Sequence, residues 1–464
     1  PDLDVTLARN GDRTVALLGY VIDPAYPEQT NQEIIDVLLS EVSTVRDIPS
    51  KTSCFGGRWI IILVESHRAF LVHDATGLRQ VFYTADTTLS LWCASQPGII
   101  AEELKLSPDK DAMEGFFYTK VCQNNRDYWW PGDRSPFKQI KHLLPNYYLD
   151  LTSRKTVRYW PDRTLKRISL DDAVEGGGDL LHALMKGAVQ RSALKVAMTA
   201  GWDSRLLLAA TRGIREKVSY YTLIYWNMTD AHLDVAIPRC ISKYLDLDHQ
   251  IISCPAQMSK AFADLYLSNV TTAHQSWGPI AEGLLAHFPP DTIAVKANGG
   301  EVMRRYYEIA FFERLSSHSL ASLTQMNGNS FAVSAFQDWL AASGEIAESH
   351  DLDPLDLFYW ENRMGNWQAM SQLEWDIAQE VFTPFNCRRL LELFLSTDEK
   401  YRRGPDYVLF TRLISAYWPD LLQWPINPES SVMRSGTKKV LAKARLLSIT
   451  KRTINQIRRR LAES

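Results

Sequence analysis

The chain has 464 residues, 45% of them hydrophobic and 23% charged, a balance that fits two or three globular domains with large cores. Its six cysteines, at 54, 93, 122, 240, 254 and 387, include no CxxC pair, which excludes a zinc ribbon or disulfide scaffold and points to a reduced, cytoplasmic setting. The net charge of −3 is unevenly spread: from Arg434 onward ten Lys or Arg face only Glu463, leaving −12 on the remainder.

Thr14 to Val21 reads as a strand, and Asn31 to Val45 has helical spacing. Phe55-Gly56-Gly57-Arg58-Trp59 leads as a turn into a buried strand ending at Val64, the longest apolar run and far too short to cross a bilayer. Glu65 to Arg68 is a polar hairpin turn, Ala69 to Asp74 a second strand, and Leu78 to Thr84 begins a third. Glycine-punctuated antiparallel strands of this kind predict a β-sandwich over residues 1–165. No signal peptide is expected at the start.

Leu170 to Gln190 is a helix that Gly176-Gly177-Gly178 is expected to interrupt. Lys195 to Met198 is a short apolar strand end, followed by the tight turn Thr199-Ala200-Gly201-Trp202-Asp203-Ser204 and a helix start from Arg205 to Ala210. Small residues at 199 to 201 allow close approach of a bound group, and Gly201 can take positive φ. Asp203 and Ser204 fall at a helix N-terminus, where free N–H groups and the helix dipole favour an anion, phosphate above all. An ordinary strand–turn–helix capped by Asp203 and Ser204 fits the same residues.

Val218 to Tyr225, His249 to Ile252 and Asp291 to Ala297 then alternate with helical stretches such as Asp234 to Leu245, which contains Pro238. Alternation predicts a doubly wound parallel sheet with its ligand at the strand carboxyl ends, over residues 166–435. The last of these strands runs into Asn298-Gly299-Gly300-Glu301. With Asp203 at the earlier turn, Glu301 puts two carboxylates at the ends of separate strands. A plain turn with Glu301 as a surface cap is the blander reading. Arg304 and Arg305 suit a phosphate or a substrate carboxylate, or are simply solvated. His274 and Trp277, in AHQSWGP, fall where a substrate-facing loop lies, although a lone histidine is more often structural. Residues 309 to 420 read as helical throughout. In the tail, 436–464, leucines and isoleucines recur at roughly helical intervals among basic residues. Such an amphipathic basic segment packs on the acidic body, or docks on an anionic membrane, a peptide or protein partner, or nucleic acid. Nothing like a nucleic-acid-binding fold shows elsewhere, so nucleic acid is not the expected partner.

The turn TAGWDS resembles the SGGxDS pyrophosphate loop of the asparagine-synthetase family, with Gly201, Asp203 and Ser204 matching, Thr199 keeping the hydroxyl and Ala200 only the small size. Asn298-Gly-Gly-Glu-Val-Met-Arg-Arg-Tyr-Tyr307 resembles that family's S-G-x-G-x-D-E-x-x-x-G-Y, with Gly-Glu in place of Asp-Glu. Earlier in the chain, Gly57-Arg58-Trp59, the run from His73 to Tyr83, Leu91 to Ser95, and Pro145 to Leu149 through Tyr159-Trp160 resemble its glutaminase domain. Downstream, Glu361 to Met364 and Phe382 to Phe385 resemble its D-R-x-S-M and R-V-P-F segments. Together the pieces extend the likeness over most of the chain.

The resemblance implies a degenerate glutaminase-like sandwich over 1–165 and a PP-loop ATP pyrophosphatase domain with helical elaboration over 166–435, followed by the basic tail. It implies ATP and Mg²⁺ as cofactors and the reaction of an amide-forming ligase. Thr199, Ala200, Gly201, Trp202, Ser204, Arg205, Gly299 and Gly300 would then line the nucleotide, while Asp203 and Glu301 act catalytically and hold the metal. A glutaminase needs an N-terminal cysteine; the chain given begins with Pro1, and Cys54 lies inside the sheet motif, so ammonia production is not expected. The family's lysine after a W-R-x-K stretch is missing from Gln423 to Pro428, leaving Lys438 or Lys439 as replacements. The expected substrates are a small-molecule or peptide carboxylate and an externally supplied amine. An intramolecular macrolactam or isopeptide cyclase, a non-catalytic homologue in a biosynthetic complex, and a homo-oligomeric assembly all stay open.

Overall fold

Burial alternates along Arg13–Ile22, with Val15, Leu17 and Val21 inward, as a half-covered strand requires. The computed structural model describes residues 3–270, 272–308 and 314–428. Its first part contains β1 (Val5–Asn10), β2 (Arg13–Ile22), β3 (Gly56–Glu65), β4 (Arg68–His73), β5 (Phe82–Thr84), β6 (Cys93–Ala94), β7 (Ile140–His142), β8 (Tyr147–Asp150) and β9 (Lys155–Arg158). They form an antiparallel six-stranded sheet ordered β1-β2-β3-β4-β8-β9 and a small sheet ordered β6-β5-β7. Ile60, Leu71, Tyr83 and Leu149 join one apolar cluster that links the two. The helix Asn31–Glu41, started by a Thr30–Glu33 capping box, lays Ile34, Ile35, Leu38 and Leu39 into the cluster that also holds Val15 and Leu17. The strand expected from Leu78 forms only at Phe82.

The second part is built on β10 (Ala193–Ala197), β11 (Val218–Ile224), β12 (His249–Ser253), β13 (Thr292–Val295) and β14 (Glu380–Phe382). All pair in parallel, in the order β12-β11-β10-β13-β14. The chain starts in the middle at β10, grows to one side, then returns to the other, so the order reverses between β10 and β13. Loops leaving those two strands diverge and open a crevice at their carboxyl ends. β14 lies within the stretch expected to be all helical; three residues of strand are too short to stand out against flanking helical periodicity.

The glycine triplet does not interrupt its helix, which runs unbroken from Leu170 to Arg191. A Cβ on Gly177 would overlap the Phe394 ring, and one on Gly178 the Tyr417 ring. The glycines therefore serve close packing, and contact with those rings offsets their poor helix propensity. The basic tail, including Lys438 and Lys439, lies outside the described residues. Among the described residues Cys54, Cys93, Cys122, Cys254 and Cys387 are free thiols, and no helix is long and apolar enough to cross a membrane.

The two parts share a core. One apolar cluster contains Ile22, Leu78, Trp129 and Trp160 together with Val196, Leu207, Phe382 and Phe394. Polar ties reinforce it: Thr76 N–H and Oγ1 donate to Asn386 Oδ1 at 2.9 and 2.8 Å, and Asn386 Nδ2 donates to the Gly57 carbonyl at 2.8 Å. Arg58, fully buried on β3, reaches Asp376 at 2.7 Å and Glu380 at 2.5 Å, and Arg79 reaches Glu380 at 2.7 Å. Burial works against charge on Glu380, but Arg58 and Arg79 outweigh it and hold the carboxyl down at about 2. Removing one partner of a buried pair strands the other. Arg58→Gln is therefore expected to cost about 3 kcal/mol of stability in urea unfolding, whereas Arg68→Gln, on an exposed pair with Asp150, should cost less than about 1 kcal/mol.

Candidate active site

β10 ends at Ala197, and Met198 to Gly201 turn the chain into the helix Trp202–Ala210. Gly201 is the N-cap at φ −76°, so the expectation of a positive φ is corrected. A Cβ there would meet Asn427 Oδ1 and Thr199 Oγ1 only at ordinary contact distance, 3.4 Å. Thr199 N–H donates to Ser204 Oγ at 2.8 Å, Ala200 N–H to Asp234 Oδ1 at 2.9 Å, and Gly201 N–H to Thr199 Oγ1 at 3.2 Å. Side chains thus stiffen the turn by holding three of its donors. The N–H groups of the helix's first turn, Trp202 to Ser204, have no intrahelical acceptor and carry the positive end of the dipole.

Across the crevice, β13 leads through Lys296 to Gly299, whose φ of 104° is one that glycine alone adopts freely. Gly300 lies so close to Asp203 that a Cβ would overlap its carboxylate. These two glycines bring Glu301 and Asp203 into one site. Arg304 clamps Asp203 through Nε to Oδ1 at 3.0 Å and Nη2 to Oδ2 at 3.0 Å, and lies 4.0 Å from Glu301 Oε1. Glu301 Oε2 accepts from Gly299 N–H at 3.1 Å. Burial raises the Asp203 carboxyl against the pull of Arg304. Burial, then the Asp203 charge, pushes Glu301 up to about 7, with Arg304 opposing.

With both acids ionised, two carboxylates and one guanidinium leave one net negative charge, which adds to burial in raising Glu301. Among the described residues no group of three His, Cys, Asp or Glu could cage a metal. Mg²⁺ needs no such cage, since it takes one or two carboxylates and completes its shell with water and phosphate oxygens. Asp203 and Glu301 fit that role.

Thr199, Gly201, Asp203, Ser204 and Glu301 line one cavity of about 310 Å³. The other residues expected at the nucleotide sit behind it. Ala200 is buried, with its N–H on Asp234. Trp202 packs edge-on against Tyr407. Arg205, expected to meet the ligand, instead faces inward and donates to the carbonyls of Leu421, Trp424 and Pro425. That corrects its assignment, because a guanidinium surrounded by carbonyls is holding a chain crossing. Gly299 and Gly300 shape the backbone and do not line the space. The stretch lacking the family lysine does reach the turn, with Asn427 N–H donating to the Ala200 carbonyl at 3.0 Å.

Of the arginine pair, Arg304 serves Asp203, while Arg305 pairs with Asp353 and Glu399. His274 is structural. It is fully buried, with Nδ1 on Glu374 at 2.8 Å and Nε2 on the Tyr128 carbonyl at 2.6 Å. Trp277 does line the cavity, opposite the turn and beside Trp367 and Trp375.

One lining residue went unnoticed in sequence. Lys296 follows β13 directly, is only 8% exposed, and has no hydrogen-bond partner for Nζ, which sits 3.5 Å above the Trp375 ring centroid. Burial, then Arg58, pulls its ammonium well below the usual lysine range, with Asp376 opposing.

No family model matches the sequence, and no curated protein does. Among solved structures, an NH3-dependent NAD synthetase from Campylobacter jejuni subsp. jejuni, in complex with nitrate, is similar at 15% identity and a TM-score of 0.22; the match covers 42% of this chain and 93% of that one.

A carboxyl raised to about 7 in the fold stabilises the chain in its protonated form and loses that contribution as pH rises from the unfolded value through 7. Mg²⁺ needs the ionised form. Added Mg²⁺ should therefore raise the melting temperature more at pH 8 than at pH 6, and Glu301→Gln should abolish the difference. Thermal unfolding with and without Mg²⁺ checks this.

Proposed function

We propose that the chain is an ATP-dependent carbon–nitrogen ligase that adenylates a carboxylate, releases pyrophosphate and passes the acyl group to an amine it does not make itself. The observation that carries the reading is the meeting of Asp203 and Glu301 at the reversal point of a parallel sheet, beside a helix N-terminus. Such a site draws polyphosphate by its dipole and a hard cation by its carboxylates. The likeness of both loops to asparagine synthetases, in the same order along the chain, supports the same conclusion.

In the first step a carboxylate oxygen attacks the α-phosphorus of ATP. The bond to the bridging oxygen breaks, and pyrophosphate leaves with the electron pair. Amine nitrogen then attacks the acyl carbon of the mixed anhydride, AMP departs, and the nitrogen loses a proton. Thr199, Gly201 and Ser204 line the phosphate end. Arg304, held on Asp203, would orient that carboxylate and balance its charge. Mg²⁺, held by Asp203 and Glu301, would neutralise phosphate charge. The amine is external or belongs to the acid itself, which makes a peptide macrolactam or isopeptide cyclase the intramolecular form of the same chemistry.

A second reading, a nucleotide- or partner-binding homologue without turnover, draws on the three turn N–H groups already held by side chains and on the Arg304 clamp across both Asp203 oxygens. The readings separate on pyrophosphate. Mg²⁺-dependent release from ATP, assayed across pools of acids and amines, is expected for the wild type. Asp203→Asn should lower it by about a hundredfold or more. An active wild type that loses nothing on this substitution would sink the metal assignment. ATP binding without release from any pool favours the second reading.

A further inference from the structure

The cavity has two unlike walls. One is the phosphate-facing turn with its carboxylates. The other comes from the continuous helical run Tyr359–Trp375 together with Trp277 and Lys296. Along that run Gln368, Ser371, Gln372 and Trp375 fall on one stripe and line the space. Several of its buried polar atoms lack partners. Lys296 Nζ and Trp367 Nε1 are donors with no acceptor, and Gln368 Oε1 and Gln372 Oε1 are acceptors with no donor. Lys296, Gln368 and Gln372 are all more than nine-tenths buried. Buried polar groups are almost always satisfied, so a cluster of orphans on one cavity wall points to a ligand that satisfies them. Around them the surface is aromatic and aliphatic, with Tyr225, Trp277, Ile280 and Trp375 exposed to the same space.

We propose that this wall is the acyl-substrate subsite, in which Lys296 holds the carboxylate of an acid whose body is aromatic or otherwise bulky and apolar. The inference rests on the ligase reading for the fate of that carboxylate, but binding itself does not. Lys296 leads directly into the loop carrying Glu301, so an acid seated on it lies within the same cavity as the phosphate turn. Trp367 Nε1 supplies a second donor. The glutamine carbonyls suit N–H, the group that the amine nucleophile brings. A small dicarboxylic acid would leave a second charge among indole rings, which is costly without a partner. Burial and Arg58 disfavour charge on Lys296, and the carboxylate of a seated acid would restore it.

The test is calorimetric titration of the full chain, without ATP, using 3-phenylpropanoate, its neutral amide 3-phenylpropanamide, and succinate at millimolar concentration. The phenyl acid is expected to bind about tenfold or more tightly than the amide, the worth of one charge-assisted hydrogen bond, and more tightly than succinate. Lys296→Met keeps the packing on Trp375 and should fold; it should erase the preference for acid over amide while leaving ATP affinity within about twofold. Equal binding of acid and amide, preference for succinate, no binding of the phenyl acid, or a Lys296→Met variant that keeps the preference would each overturn the assignment. So would a variant that loses ATP affinity but still prefers the acid, since Lys296 would then belong to the nucleotide. Binding as expected with no pyrophosphate from any acid would sink the ligase reading and leave the subsite standing. Pyrophosphate release driven only by small polar acids would do the reverse.

Discussion

Two carboxylates held together without enough positive charge are the constraint around which this molecule is arranged. Asp203 and Glu301 come from the ends of different strands, and only the reversal of order between β10 and β13 brings them face to face. Neither can relax. Asp203 is clamped by Arg304, Gly300 leaves no room for a side chain against it, and Glu301 is tied to the Gly299 amide. Burial disfavours charge on both carboxyls, and a cation bound there would offset that cost.

Much of this was legible in the residues. TAGWDS reads as strand, turn and helix because small residues precede an apolar helical run, and NGGE reads as a tight turn because two glycines close a β-branched strand. Arg205 was misread because adjacency in sequence to a phosphate-like turn says nothing about direction: four residues beyond Gly201 the helix has already rotated its side chain into the core, toward carbonyls from residues 421 to 425. Gly176 to Gly178 misled for a related reason. Glycine in a helical pattern signals a break only if nothing packs there, and Phe394 and Tyr417 arrive from more than two hundred residues away.

Lys296 shows the limit most plainly. In the run AVKAN a lysine after a strand looks like a solvated end. It packs on Trp375, about eighty residues later, and its lowered ammonium also feels the charge of Arg58, from the opposite part of the chain. No local period records such a meeting. The turn chemistry of a site is therefore easier to read than its distal wall, since the wall is assembled by tertiary contact alone.

The shared core has its own consequence. Ile22, Leu78, Trp129 and Trp160 are packed among side chains of the parallel-sheet half, and Arg58 neutralises two of that half's acids. Removing the N-terminal sheets would therefore bare indoles, leucines and unpaired carboxylates at once. Such a segment cannot be shed without exposing the other half's core. Selection would then be expected to guard its inner face and leave its outer one to vary.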